Sequence, residues 1–442
     1  MTLKMTRRAA LKRFAAAGLA APFVFRRHAT AAPSETLYHA SFGAAGQAGS
    51  DIDALTQNGK SKHLKLVAVA DVDLARTAEV KKKFPDLKVY QDWRELLDKE
   101  KNLNSVNVST PDHMHAAITM RAMRQGLHVY TQKPLTQTIY EARQLTKVAR
   151  DKRLVSQMGI QIHSHEVRRT VVAIIQGGAI GNVREVHSWS GKHWGDKAPK
   201  PDRKDTPPSD LNWDFWLGVA AERPFIGGQY YHPGNWRKRL DFGTGTFGDM
   251  GCHILDPVFA ALELTGPTSL LSDGGAPNAD NWGLDSHVKY VFPGTKYTTR
   301  SLTLHWYDGN RRPPEEVKKL IGRDFNDQGS VYLGENGVLY SPYIAAPVLL
   351  PADKFADYKK PNPGGENHYL QFVEACRGNG KTSAPFDYSG PLTESVLLGC
   401  LATRFPMQEL KWDADKLRVT NVAEANDFVR RRYRKGWEVE GL

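Results

Sequence analysis

Three groups of residues have types and spacings that can do chemistry. The first is Gln132-Lys133-Pro134, which follows a short apolar run at 128–131. A lysine held at the end of a strand can hydrogen-bond a hydroxyl group, and its charge stabilises an oxygen that is becoming an alkoxide. The second is Asp249-x-x-x-His253. On a helix this i, i+4 spacing puts both side chains on one face. An imidazole with an ordinary pKa of about 6.5 can take a hydroxyl proton near neutral pH. Asp249 can orient that ring or meet a second hydroxyl. The third is the turn Phe42-Gly43-Ala44-Ala45-Gly46-Gln47-Ala48-Gly49, followed by Asp71. Gly43, Ala45 and Ala48 stand in the register of a G-x-G-x-x-G/A dinucleotide turn, with Gly46 and Gly49 as an alternative register. A carboxylate at the place of Asp71 hydrogen-bonds both ribose hydroxyls and repels a 2′-phosphate, which favours NAD over NADP. Asp73 can share that role. Each group also has a plainer reading: a surface lysine before a turn proline, a helix-start aspartate with a buried histidine, and a bare structural turn.

The surrounding pattern supplies elements to hold these residues. Strands are expected at 36–42, 65–70, 87–90, 105–109 and 128–131, with helices at 50–57, 74–83, 93–99 and 115–125 between them. Alternation at this spacing means a parallel sheet covered on both faces. Ligands of such sheets sit beyond the carboxyl ends of the strands, where Gly43, Asp71, Pro111 and Lys133 fall. The second half has longer β-branched and aromatic runs at 183–193, 286–292, 297–306, 330–333 and 337–341, with helices at 366–377 and 392–404. It reads as one α+β domain with an open, mainly antiparallel sheet.

Further motifs then resemble a known family. Val106-Asn107-Val108-Ser109-Thr110-Pro111-Asp112-His113, a helix, and Gly126-Leu127-His128-Val129-Tyr130-Thr131-Gln132-Lys133-Pro134-Leu135 are similar to the Gfo/Idh/MocA oxidoreductases, the relatives of glucose–fructose oxidoreductase and inositol dehydrogenase. The likeness continues through Ser156-Gln157-Met158-Gly159, Gly178-Ala179-Ile180-Gly181, the run from Asp249 to Asp256, and Pro391-Leu392-Thr393-Glu394. It covers roughly residues 36–405. It implies an α/β fold: an N-terminal Rossmann doubly wound parallel sheet at 34–157 and a C-terminal α+β domain at 158–442 for substrate and oligomer contacts. Lys133, His253 and Asp249 are then the catalytic residues. Gly43, Ala45, Gly46, Gln47, Ala48, Asp71, Thr110, Pro111, His113, Gln132 and Lys133 would hold NAD. The family's E-K-P motif has Gln132 in place of glutamate here, which removes a carboxylate that could tune the lysine. Tyr231, His232, Trp236 and Arg237 are similar to a segment in exported members. Together with Gln161 and His163 they are expected to bind a sugar, whose C–H faces stack on aromatic rings. No metal site is read from His113-x-His115 or His163-x-His165.

Composition narrows the class further. With 40% hydrophobic residues, 38 Gly and 25 Pro in 442 residues, the chain is an ordinary globular sequence. No apolar run reaches the ~20 residues that span a bilayer. The formal charge of +12 is concentrated early. Residues 1–31 carry seven Lys and Arg and no acid, so nucleic-acid binding is not indicated. Thr6-Arg7-Arg8-Ala9-Ala10-Leu11-Lys12, a twelve-residue apolar stretch at 14–25 and Ala29-Thr30-Ala31 resemble a twin-arginine signal peptide. That reading puts the folded protein in the periplasm, carrying its own tightly bound NAD. The three cysteines are far apart and read as buried small residues. The reading is then an oxidoreductase on a sugar or glycoside hydroxyl, in a dimer or tetramer. One alternative is a redox-neutral glycoside hydrolase or lyase that oxidises its substrate transiently, commonly at C3. The other is a sugar-binding homologue without catalysis.

Overall fold

The computed structural model describes residues 36–442, so the twin-arginine reading lies outside the described residues. The first sheet is built from β1 (Leu37–Phe42), β2 (Leu64–Ala70), β3 (Lys88–Tyr90), β4 (Ser105–Val108), β5 (His128–Thr131) and β6 (Ser156–Met158). Their order is β3-β2-β1-β4-β5-β6, and every neighbouring pair is parallel. This is the Rossmann order. Chain direction across the sheet reverses between β1 and β4, and a crevice opens there at the carboxyl ends of the strands. β4 is buried along its whole length, as an inner parallel strand must be.

The second sheet has nine strands, β7 (Val183–Ser190), β8 (Ser269–Ser272), β9 (His287–Pro293), β10 (Thr298–Asp308), β11 (Gln328–Gly334), β12 (Val338–Ser341), β13 (Val348–Leu350), β14 (Leu410–Asp413) and β15 (Arg418–Val419). They run in the order β13-β12-β11-β7-β10-β9-β8-β14-β15. All neighbours are antiparallel except β7 and β10, which pair in parallel. The fold class read from the sequence is therefore the observed one.

Helix boundaries move where the turn chemistry starts a helix early. The first helix is Gln47–Leu55, not 50–57, because Gly46 at φ 62° turns the chain straight into it. The helix after β4 is Asp112–Arg124 and begins directly after Pro111. The expected helix 74–83 opens as a 3₁₀ turn, Leu74–Thr77, before the α-helix Ala78–Lys83. Helix Phe386–Ala402 starts six residues before the expected 392 and runs through Pro391. Its residues are buried on nearly every side, and that burial outweighs the lost hydrogen bond.

This helix binds the two halves together. Glu394 accepts two hydrogen bonds of 2.7 Å from Arg143 on helix Ile139–Asp151. Gly390 lies so close to Thr146 that a Cβ there would meet its hydroxyl at 2.0 Å. One hydrophobic core runs from Val106 and Ala116 beneath the first sheet, through Leu392 and Val396, to Leu304 and Trp306 of the second. Cys252 and Cys400 are buried and Cys376 is half-buried, all three as free thiols. Among the described residues no helix is long and apolar enough to cross a membrane.

Candidate active site

A cavity of about 420 Å³ opens at the carboxyl ends of β1, β2, β4 and β5. Its floor begins at the glycine turn. The Gly43 amide donates to Ala70 O at 2.8 Å, and Gly43 has φ +101°. A Cβ there would lie 2.8 Å from both Ser109 O and the Ala48 methyl. Helix Gln47–Leu55 follows with no side-chain cap, so its first amides face the cavity mouth as an anion site. These features fit a dinucleotide pyrophosphate. Ala45 also lines the cavity, while the Ala48 methyl is buried against Gly43. Gly43→Ala is expected to weaken dinucleotide binding and to cost about 1–3 kcal/mol of stability. Titration with the dinucleotide and thermal melting check both.

Asp71 lines the cavity at the end of β2. It accepts from the amides of Ala44 and Asp73, each at 3.0 Å. Burial raises its pKa despite those bonds and the nearby Arg76 charge. Asp73 does not line the cavity, and its carboxylate pairs with His232 at 2.8 Å.

Gln132 explains its own departure from the family pattern. Its Nε2 donates to both oxygens of Asp51, at 3.1 and 2.9 Å. Asp51 is fully buried on the first helix and also accepts from Gln47, Ser109 and Tyr369. A glutamate at 132 would set two buried carboxylates against each other, and both could not stay ionised. Gly159 completes the fit, since a Cβ there would strike the Gln132 amide at 2.6 Å.

Lys133 reaches out of the first half into the second. Its Nζ donates to Asp249 O at 2.7 Å and to Asp249 Oδ1 at 2.8 Å. Asp249 stands on helix Gly245–Ile254 and also accepts from Arg237 Nε at 3.2 Å. Burial would raise the Asp249 carboxyl, but the Lys133 and Arg237 charges outweigh it and hold the group below the usual carboxylate range. His253 lies one turn further along the same helix. Burial, with the Lys133 charge adding, pushes its pKa down to about 3, and its Nδ1 is buried without a hydrogen-bond partner.

The predicted site residues divide by where they face. Gly43, Ala45, Gly46, Gln47, Asp71, Thr110, Pro111, Gln132, Lys133, His232, Trp236 and Arg237 line the one cavity. His253 instead lines a narrow crevice with Arg168 and Tyr343. His113 points into an aromatic cluster, against Trp216 and Phe242, with Nε2 3.1 Å from Trp216 O. Tyr231 is buried in the same cluster beside Trp213 and Trp216. Gln161 donates to Tyr369, and His163 is held 2.8 Å from Asp256. Arg76, His115 and Trp216 also line the cavity; of these only Arg76 was not singled out in the sequence, His115 having been weighed only as part of a histidine pair and Trp216 only as one of a tryptophan cluster. Arg76 had a signal, a cation five residues beyond Asp71. His115 sits between the carbonyl oxygens of Thr110 and Pro134, at 2.8 Å from each, and so braces the Lys133 turn.

Comparison with known proteins decides the family. A profile described as "Oxidoreductase family, NAD-binding Rossmann fold" matches residues 40–160, and one described as "Oxidoreductase family, C-terminal alpha/beta domain" matches residues 179–439. The chain belongs to the Gfo/Idh/MocA oxidoreductases. Among the family's curated members, levoglucosan dehydrogenase of Pseudarthrobacter phenanthrenivorans is 26% identical over 222 residues, 48% of each chain. The scyllo-inositol 2-dehydrogenase (NADP(+)) of Bacillus subtilis is 25% identical over 194 residues, 42% of each chain. The match thus spans about half the length of these relatives. The WlbA dehydrogenase of Bordetella pertussis, solved with NADH and UDP-GlcNAcA, shares the Gfo/Idh/MocA fold at a TM-score of 0.61. It has 13% identity, with 86% of this chain and 100% of that one covered.

Proposed function

We propose that this Gfo/Idh/MocA protein is an NAD-dependent oxidoreductase acting on a hydroxyl of a sugar or glycoside. The observation that carries this reading is the Lys133–Asp249 contact at the floor of the cavity that starts at the glycine turn. When bound, NAD supplies the hydride acceptor. The chain's own residues do the rest. Lys133 spends two of its three N–H groups on Asp249 and keeps one for a substrate hydroxyl. Its charge favours that oxygen as negative charge develops on it. Asp249, ionised and shared with Arg237, fixes the direction of the amine.

His253 is given no part in taking the hydroxyl proton: it lines the separate crevice with Arg168 and Tyr343, which corrects the expected pairing of Lys133 and His253 about one substrate. Trp216 and Trp236 offer flat apolar walls, and Arg237 offers a donor at the same mouth. Relatives named for levoglucosan and scyllo-inositol support a polyhydroxylated substrate. Asp71 supports NAD; Arg76, beside it in the cavity wall, is the group an NADP enzyme would use.

The test is mass spectrometry of the cofactor released from purified protein, followed by turnover on a panel of sugars and glycosides. About one equivalent of NAD and a keto-sugar product with an added acceptor are expected. Release of NADP alone, or of no nucleotide, would overturn the cofactor assignment. Hydrolysis of a glycoside without net oxidation would replace the reaction by the redox-neutral one. The arginine pair at Arg7-Arg8 and the apolar stretch behind it support a periplasmic location. Recovery of the protein only from the cytoplasm after cell fractionation would sink that part.

A further inference from the structure

We propose that Glu185, His187 and His305 form a Zn²⁺ site on the face of the second sheet that is turned away from the cavity. The strands bring them together by register. β7 and β10 pair in parallel with His305 opposite His187 and Thr303 opposite Glu185. Alternation along β10 sends His305 and Tyr307 to one side and Trp306 to the other, where it stacks on Phe247 of helix Gly245–Ile254 at 4.5 Å. The cluster therefore lies across the sheet from Asp249 and lines no part of the cavity.

Three ligand atoms converge. Glu185 Oε1 is 3.1 Å from His187 Nε2 and 3.3 Å from His305 Nε2, and all three lie within 4.8 Å of one another. A tetrahedral ion with bonds of about 2.0–2.1 Å separates neighbouring ligand atoms by roughly 3.3–3.4 Å. Two imidazoles, one carboxylate and an open fourth position suit Zn²⁺. Glu185 keeps about a third of its side chain exposed, so the fourth position opens to solvent (side-chain exposure 34%).

Proton counting shows that the cluster is incomplete by itself. Asp273 Oδ2 contacts His287 Nδ1 at 2.7 Å, His287 Nε2 contacts His305 Nδ1 at 3.0 Å, and His305 Nε2 contacts Glu185. Three contacts need three protons, but two neutral imidazoles carry two. Whichever tautomers are chosen, one lone pair faces another. The missing positive charge can be a proton or a metal ion, and the spacing of the three ligand atoms suits the metal ion.

A cation at the two Nε2 atoms and Glu185 resolves every contact. His305 Nδ1–H then donates to His287, whose Nδ1–H donates to Asp273. His187 Nδ1–H donates to Tyr307 Oη, 3.1 Å away. Each ligating ring thus has the outer partner that fixes its tautomer in a metal site.

The full chain, stripped with a chelator, is dialysed against buffered Zn²⁺ and its zinc measured by mass spectrometry. One tight equivalent is expected for the wild type and none for Glu185→Gln. His287→Asn keeps all three ligands but removes the partner of His305, so binding 10–100-fold weaker is expected. Co²⁺ on the wild-type chain gives a readout that needs no variant, the strong visible absorption of a tetrahedral ion. Equal zinc uptake by the wild type and Glu185→Gln, or only the weak bands of octahedral Co²⁺, would overturn the proposal. Sugar turnover is no part of this test, so its outcome is independent of the assignment of the cavity.

Discussion

Replacing Lys133 by methionine is expected to lower kcat/KM by about 10²–10³-fold, the usual cost of removing one donor aimed at a developing oxyanion. The prediction rests on the side chain's position rather than on its charge alone. Methionine keeps most of the aliphatic stem, so Gln132, Pro134 and their neighbours should stay in place. The lost groups are the two bonds to Asp249 and the one free N–H. Cofactor released from the variant should stay near the wild-type amount, because the pyrophosphate end of the cavity is untouched. Steady-state kinetics on the best substrate, with cofactor quantified in the same preparation, check both parts. An unchanged kcat/KM would remove Lys133 from the reaction.

The second large effect is on stability. Asp256 is fully buried and binds Arg168 Nε at 2.7 Å, His163 Nδ1 at 2.8 Å and the Tyr388 hydroxyl at 2.6 Å. Asp256→Asn leaves the Arg168 guanidinium buried without its counter-charge, which should cost about 3–5 kcal/mol. Burial alone would raise the Asp256 carboxyl, but the Arg168 and His163 charges and hydrogen bonds hold it well below its ordinary 3.8. A depressed carboxylate stabilises the fold above its unfolded pKa, and the stabilisation is lost as pH falls toward the folded value. Wild-type stability should therefore decline below about pH 4. The asparagine variant should be weak throughout and lack this component of the decline. Denaturant melts at a series of pH values measure the difference.

Several features of this site were open to reading from residue types, and others were not. Lys133, Asp71 and Gly43 each sit at the end of an apolar run, and period and punctuation alone place such residues at strand ends. The partner of Gln132 was not readable, because Asp51 is 81 positions away and joins it only when the first helix lies on the sheet. His163 and Gln161 are polar residues near the domain boundary, and nothing local separates a pocket residue from one bound to Asp256 or Tyr369. His113 and Tyr231 failed for the same reason: their rings are consumed by Trp213, Trp216 and Phe242, which are distant in sequence from His113. The helix Ile139–Asp151 had a visible start. Thr138-x-x-Glu141 forms a capping box in the structure, and the T-x-x-E signature stands in the sequence. The Glu185–His187–His305 cluster joins residues 118 and 120 positions apart across a parallel strand pair, which no local pattern announces.

Helix Phe386–Ala402 packs on Ile139–Asp151, and its place near the end of the chain has a consequence for biosynthesis. The first sheet and its helices leave the ribosome about 235 residues before the segment that covers them. At about 5–20 residues per second, that interval is roughly 10–50 s. Through that time the nascent chain shows an uncovered apolar flank at Leu145 and Ala149, sites for a chaperone to shield. The Lys133–Asp249 clasp closes only once both partners have emerged, so a ribosome stalled before residue 249 yields a polypeptide in which Lys133 lacks this partner.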